Sequence, residues 1–236
     1  RSDKQRVLQM MGCTQDSPAY EAILQIYEEL AVEIQQRLHP AALAVFGTID
    51  NEHAAENLSV DSPVLYVLTT VGAEISRFSA ERFAQKDYLG GMLADIMADD
   101  CLFQLDAILE ETLKAACRER GLGIRARLEA PRDLPMSVQK LIWQRTEAAR
   151  ELGVRISSGQ MYDPVKSMGY LLLLTEDTEK WEFCHDCGNC PAVECRMRRA
   201  VRITVQLAGK EMHPEVIDCR ANENILEALR RQHLYL

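Results

Sequence analysis

The chain has 236 residues, of which 47% are hydrophobic and 27% are charged, and its formal net charge is −9. This length allows one large domain or two smaller ones. A negative charge of this size excludes the broad positive surface that nucleic acids and anionic membranes require, so we expect neither as a partner. No apolar run approaches the roughly 20 residues that span a bilayer. The chain does not begin with Met and carries no signal-peptide pattern, which indicates a trimmed N-terminus.

Hydrophobic periodicity divides the first 175 residues into helices and short strands. Long segments with apolar residues at helical spacing alternate with short, β-branched apolar runs that end at Gly, Pro or Asp-Asn. In chain order we predict a helix over 18–38, strands over 42–49 and 64–71, helices over 73–85 and 87–119, a strand over 124–129, a helix over 138–152, and strands over 154–157 and 168–175. This order predicts an α+β fold, in which helices pack on an antiparallel or mixed sheet.

Four of the eight cysteines lie within twelve residues, at Cys184, Cys187, Cys190 and Cys195, with the spacing C-x2-C-x2-C-x4-C. Loops this short aim several sulfurs at one point, which is the geometry that a thiolate-bound metal or cluster needs. The alternative is a redox dithiol formed by the central C-x2-C pair. The other cysteines are scattered singly, and this usage favours a reducing, cytoplasmic location.

The spacing leaves the occupant of the four-cysteine motif open between a [4Fe–4S] cluster and zinc. The first three cysteines resemble the bacterial ferredoxin run, but there the fourth follows after three residues and precedes a proline. Here it follows after four residues, and Pro191 comes after the third cysteine. Zinc with four thiolates accepts this spacing equally well. His185 lies inside the motif, either as an exposed neighbour or as a ligand in place of one sulfur.

The sequence after the cysteines changes character. Two alternating runs at 201–207 and 216–219 predict a pair of strands, and 223–232 predicts an amphipathic helix. Two strands and a helix bury too little to stand alone, so we expect this tail to continue beyond Leu236 or to dock on the first domain. We therefore predict three segments: a domain over 1–180, the four-cysteine segment over 181–199, and the start of a further domain over 200–236.

Three segments of the first domain together resemble the activation domain of cobalamin-dependent methionine synthase and its stand-alone relatives. The first is 64–72 (VLYVLTTVG) with the acidic helical stretch 87–106, and the second is 135–139 (PMSVQ), which opens a helix. The third is the most specific: 152–158 (LGVRISS) and 161–169 (MYDPVKSMG) are similar to the family's run G-I-x-L-T-x-S-x-M-x-x-P-x-x-S.

The resemblance implies a domain that clasps a corrinoid-carrying protein while inactive Co(II) cobalamin is reduced to Co(I). In methionine synthase the corrinoid is then remethylated from S-adenosylmethionine, which is bound by a loop of the form Arg-x-x-x-Gly-Tyr-Pro. The matching loop here, 127–135 (RLEAPRDLP), keeps an arginine and prolines but lacks the Gly-Tyr pair. Arg127 is therefore the only residue of this chain that the resemblance implies for binding adenosylmethionine.

The tail resembles the opening hairpin and first helix of a plant-type [2Fe–2S] ferredoxin, on the runs 201–205 (VRITV), 216–219 (VIDC) and 223–230 (ENILEALR). In such domains the cluster cysteines come after this point. Cys219 lies in the second strand, outside the usual ligand positions, so we assign it to no cluster.

These resemblances favour an electron-delivering activator of a corrinoid methyltransferase system, with a corrinoid protein and an electron donor as partners. A cluster on the four cysteines would carry electrons, whereas zinc has no redox chemistry and would be structural. The alternative is a binding module that docks a corrinoid protein and holds a structural zinc. An enzyme acting on adenosylmethionine or another nucleotide is a third reading, but the sequence has no Gly-rich phosphate loop or nucleophile turn.

The cysteine motif makes a direct prediction. Replacing Cys187 and Cys190 with Ser should abolish metal or cluster content, because two of the four thiolates are lost. Iron, zinc and sulfide analysis of anaerobically purified protein measures this. Content that survives the double substitution would show that the ligand assignment is wrong.

Overall fold

The computed structural model of the chain describes residues 2–50, 52–53 and 58–183 in full, together with the backbone of two strands at 201–205 and 215–219. The chain forms two compact units, 1–185 and 186–236. The four cysteines of the motif and the helix predicted over 223–232 lie outside the described residues. The domain boundaries at 180 and 199 stay predictions.

The first unit contains six described helices and six strands. In chain order they are α1 (Lys4–Met11), α2 (Tyr20–Arg37), β1 (Ala41–Thr48), β2 (Pro63–Thr70), α3 (Glu74–Ala84), α4 (Tyr88–Arg118), β3 (Gly123–Leu128), α5 (Ser137–Arg145), α6 (Ala148–Leu152), β4 (Arg155–Ile156), β5 (Tyr162–Asp163) and β6 (Ser167–Thr175). None of the helices in the described ranges is long and apolar enough to cross a membrane.

Four strands form one antiparallel sheet in the order β1-β2-β6-β3. Tyr66 at the centre of β2 is level with Val45 of β1 and Leu171 of β6. The register of β3 against β6 shifts between Ile124 and Ala126. β4 and β5 form a separate two-residue hairpin. The predicted α+β class with a helix-packed antiparallel sheet is confirmed.

Both faces of the sheet are covered, which explains why β2 and β6 are almost continuously apolar. On β2, Val64, Tyr66 and Leu68 face a core shared with α5, while Leu65 and Val67 face a second core shared with the C-terminal half of α4. Successive side chains of a strand point to opposite faces, so a strand buried on both sides has no polar face. The result is a three-layer arrangement of α4, sheet and α5.

A third core lies among the helices. It joins α1, α2, α3 and the N-terminal half of α4 through Val7, Leu30, Ile75, Leu93 and Met97. This core is separate from the sheet cores and contains the buried carboxylate described below.

Asp100 of α4 is fully buried and fixes the N-terminal helix in place. Its Oδ1 accepts a bond from Arg6 Nε at 2.6 Å, and its Oδ2 accepts from the Asp3 backbone N–H and from Gln104 Nε2, both at 2.6 Å. Asp3 in turn caps α1 through Arg6 N–H at 3.0 Å. A buried charge is tolerated only where several donors surround it, and here three donors do so.

The chain that leaves β6 returns along the outer edge of β3. Ile124 N–H donates to Lys180 O at 2.7 Å, and Glu182 N–H donates to Ile124 O at 2.9 Å. Gly123 makes this approach possible, because a Cβ there would lie 2.0 Å from the carbonyl oxygen of Asp177. Phe183, next to the first motif cysteine in sequence, is buried with its ring edge-on to Tyr170.

The structure differs from the predicted elements in three places. α1 was not predicted, because eight residues with one buried side chain give little periodicity. The helix predicted over 138–152 is two helices, since Glu147 has a left-handed backbone with φ of 51° between α5 and α6. The strand β5 at 162–163 was expected as loop.

Cys101 and Cys117 of α4 are free thiols buried among apolar side chains. Burial raises the pKa of the Cys101 thiol to about 11. At neutral pH this thiol is protonated and behaves as a small hydrophobic group.

The second unit contains two described strands, β7 (Val201–Val205) and β8 (Glu215–Cys219), paired antiparallel with Ile203 level with Ile217. The predicted hairpin of the tail is therefore confirmed.

Replacing Asp100 with Asn should lower the free energy of unfolding by about 2 kcal/mol, because the amide NH₂ must face one of the three donors that the carboxylate accepted. Urea unfolding followed by circular dichroism measures this. The matched control is Glu28→Gln, which breaks the exposed Lys4–Glu28 pair and should change stability by less than about 0.5 kcal/mol. Equal losses in the two variants would contradict the role given to Asp100.

Candidate functional site

Arg127, the residue that the resemblance singled out, is an ionic junction inside the first unit. Its side chain is only 7% exposed. Nε donates to Glu129 at 2.6 Å, Nη1 donates to Asp106 of α4, and Nη2 contacts the Met168 sulfur at 3.5 Å. The guanidinium also lies over the Tyr170 ring, with Cζ 3.8 Å from the ring centroid. Each of the three nitrogens therefore has an acceptor within the chain.

The charges around Arg127 keep it ionised. Burial alone would lower the pKa of Arg127, but the carboxylates of Asp106 and Glu129 raise it above its ordinary value. Burial, with the charge of Asp106, raises the pKa of Tyr170 beyond its usual range, so this side chain is a neutral phenol.

A cavity of about 150 Å³ adjoins this junction, and we call it the junction cavity. Glu129 and Met168, which contact Arg127, also line it. Its other walls come from the start of the 130–135 loop, from α5, and from the β4–β5 turn through the first residues of β6. The side chains that line it include those of Glu129, Gln139, Gln160, Met161, Val165 and Met168.

Gln139, on α5, and Gln160, in the β4–β5 turn, both line this cavity. The Oε1 atom of each is buried and has no hydrogen-bond partner in the described residues. Buried polar atoms are nearly always paired in native proteins, so these two oxygens are exceptions.

The floor of the junction cavity is built by the third resembling segment. Tyr162 donates its hydroxyl to the Gln139 carbonyl at 2.9 Å, and Ser167 donates to the Pro164 carbonyl at 2.7 Å. Gly169 packs against Tyr162 and Gln139. A Cβ at this position would be 2.2 Å from the Tyr162 oxygen and 2.9 Å from Gln139 Oε1. The Tyr, Ser and Gly of this segment therefore have close-packing reasons for their identity.

Lys166 ties the same segment to α4. Its Nζ lies 2.7 Å from Asp99 and 2.9 Å from Asp95, and its side chain is largely buried. Its carbonyl accepts from Val71 N–H at 3.0 Å. Burial raises the pKa of Asp99, although the bond from Lys166 opposes this. Lys166 is thus a structural tie, whereas its neighbour Ser167 lines the cavity.

The structure brings together only part of what the sequence predicted. Arg127 lies in the junction just described, and Cys184, Cys187, Cys190 and Cys195 lie outside the described residues. Within those residues, no group of three or more His, Cys, Asp or Glu side chains could hold a metal ion. The sequence analysis did not identify Asp106, Gln139 or Gln160. Their neighbours in space are distant in the sequence, so no local sequence pattern indicates their positions.

Comparisons with known proteins give a relationship at the level of fold. No family model and no curated protein matches the chain, but eleven chains of solved structures do. One is the MetH reactivation domain bound to AdoHcy, with a TM-score of 0.50 and 13% sequence identity over 78% of this chain and 73% of that chain. The predicted relationship to a reactivation domain is therefore confirmed as a distant likeness of fold.

Replacing Gly169 with Ala should lower the free energy of unfolding by about 2 kcal/mol, because the Tyr162 ring must move to admit a methyl group. Gly159→Ala is the matched control in the same segment, since the nearest atom there is 3.8 Å away. It should change stability by less than about 0.5 kcal/mol. Chemical denaturation measures both variants, and a Gly169→Ala protein as stable as the control would refute the packing described here.

Proposed function

We propose that this chain docks a corrinoid-carrying protein and delivers electrons for the reduction of its cobalt from Co(II) to Co(I). The observation that carries the proposal is the likeness of the first unit to a MetH reactivation domain over 78% of the chain. The sequence resemblance supports it independently, since its most specific segment, 152–169, builds the hairpin and turn beside Arg127.

The described residues would supply a rigid docking platform. The sheet is packed on both faces, and the segment beside Arg127 is tied to α4 by Lys166 and to β2 by hydrogen bonds from Thr70 and Val71 to the Lys166 carbonyl. A platform of this kind can hold a partner's cofactor in one orientation, because little of it rearranges on binding.

The four-cysteine motif is the proposed source of electrons. A [4Fe–4S] cluster held by Cys184, Cys187, Cys190 and Cys195 would supply a one-electron carrier, and one electron converts Co(II) to Co(I). The buried Phe183 anchors the chain immediately before the motif to the first unit. A [2Fe–2S] cluster in the ferredoxin-like continuation of the tail would accept electrons from an external donor.

The test uses the whole chain, purified without oxygen, and corrinoid-carrying proteins loaded with Co(II) corrinoid. Calorimetry measures docking, and the loss of the Co(II) electron paramagnetic resonance signal measures reduction with a chemical donor present. We expect saturable binding and accelerated reduction. The Cys187→Ser/Cys190→Ser variant should still bind but reduce cobalt at least tenfold more slowly, because its electron carrier is lost.

Cys13→Ser is the matched control, since Cys13 is a free cysteine outside the motif and should not affect the rate. If the protein contains zinc and binds the corrinoid protein without accelerating its reduction, the activator function is wrong and the docking-module function is supported. Absence of binding to every corrinoid protein would overturn both functions.

A further inference from the structure

We infer that two copies of this chain associate through β1, whose outer edge pairs antiparallel with the same edge of a second copy. The two four-stranded sheets would then join into one sheet of eight strands. This inference is independent of the proposed corrinoid function, since it depends only on the backbone and the side chains at one edge of the sheet.

The two edges of the sheet differ in how they are covered. The outer edge of β3 is met by the returning chain, which exchanges backbone hydrogen bonds with Ile124. The outer edge of β1 has no such neighbour among the described residues. β1 is eight residues long, pairs without a bulge, and contains no charged residue and no proline (AALAVFGT). Natural edge strands usually carry charges, prolines or bulges that prevent pairing with another chain, so β1 has the features of a pairing edge.

The backbone groups that point outward from β1 are those of its even-numbered residues. Val71 N–H donates to Lys166 O at 3.0 Å, so the odd-numbered residues of β2 bond β6 and the even-numbered ones bond β1. Tyr66 of β2 lies opposite Val45, so β1 uses its odd-numbered residues for these bonds. Because hydrogen-bonded residues alternate along an antiparallel pair, the even-numbered residues face outward. They are Ala42, Ala44, Phe46 and Thr48.

Two features at the ends of this edge select the register of the pair. Tyr66 lies across Gly47 and donates its hydroxyl to the Thr48 carbonyl at 2.7 Å, so this outward carbonyl already has a donor. Pro40, the residue before β1, has no N–H to donate. When Ala44 lies opposite Ala44 of the second copy, Pro40 lies opposite Thr48, so the missing donor meets the carbonyl that needs none. This self-complementarity is the reason for choosing a second copy as the partner.

The side chains of the edge fit the same register. Val45, which is 38% exposed, would lie opposite Leu43 of the second copy, and Leu43 would lie opposite Val45. On the other face of the strand, the ring of Phe46 would lie opposite the small side chain of Ala42. Apolar cross-strand pairs of this kind stabilise a sheet, and the uncharged strand places no like charges opposite each other.

The interface is small for a protein dimer. It consists of one strand pair, whereas stable protein interfaces bury about 1,200–2,000 Å² in total. The net charge of −9 on each chain adds a repulsion between the copies, which salt weakens. We therefore expect a reversible dimer whose population rises with the concentrations of protein and of salt.

The experiment measures the mass of the full chain by sedimentation equilibrium, without oxygen and with a reductant that prevents disulfides between chains. We expect the mass to rise from the 26.7 kDa of one chain toward that of two chains between about 1 and 500 μM protein. Hydrogen exchange followed by mass spectrometry reports on the edge itself in the unaltered protein. The peptide that contains residues 41–48 should exchange more slowly as the protein concentration rises, because the outward amides become bonded.

Two substitutions distinguish this edge from any other contact between copies. Val45→Lys places a charge opposite Leu43 of the second copy and should weaken the dimer at least about tenfold. Ala44→Pro removes the outward N–H at the centre of the pair and leaves the bonds to β2 in place, so it should weaken the dimer as well. Val32→Lys, at an exposed position of α2, is the matched control and should leave the dimer unchanged. Circular dichroism verifies that each variant is folded.

Three outcomes would overturn the inference. They are the mass of a single chain at every concentration, a dimer that Val45→Lys and Val32→Lys leave equally intact, and exchange at 41–48 that is slow but independent of concentration. The last outcome would show that another part of the same chain covers the edge.

Discussion

The buried guanidinium of Arg127 joins α4 to the sheet beside the candidate site. It bonds Asp106 of α4 and Glu129 beyond the end of β3, and it covers the ring of Tyr170 on β6. A lone buried cation would be strongly destabilising, so its two carboxylate partners are a requirement of the fold as much as a feature of the site. Lysine could not replace it, because one ammonium cannot bond two carboxylates and also lie flat on an aromatic ring.

This junction also determines the chemistry of the space beside it. Glu129 bonds Arg127 and also lines the cavity, so the charge of the guanidinium is balanced by a carboxylate on the same wall. An arginine whose nitrogens are all engaged within the chain is not available to a ligand carboxylate. The same residue type at a matching position of a related fold therefore does not by itself transfer a ligand.

The sheet was predictable from sequence and the site largely was not, for a physical reason. β2 and β6 are buried on both faces, so their composition alone marks them as strands, and their observed bounds lie within one residue of those predicted. The break at Glu147 depends on a left-handed residue with no Gly or Asn to signal it. The pairing of Arg127 with Asp106 spans 21 residues, and Gln139 and Gln160 line one cavity only because α5 lies beside the segment that runs into β6. Hydrophobic periodicity in a sequence indicates which side chains are buried, but it does not indicate which residues they contact.

The segment 177–183 is the part of the chain that leads into the four-cysteine motif. It runs beside β3 through backbone bonds to Ile124, and it ends with Trp181 under Arg118 and with Phe183 in the sheet core. Because Phe183 is buried against Tyr170 and Cys184 is the next residue in the sequence, the chain is fixed to the first unit up to the residue before the motif. A Phe183→Ala substitution would therefore release this segment as well as leave a cavity in the sheet core.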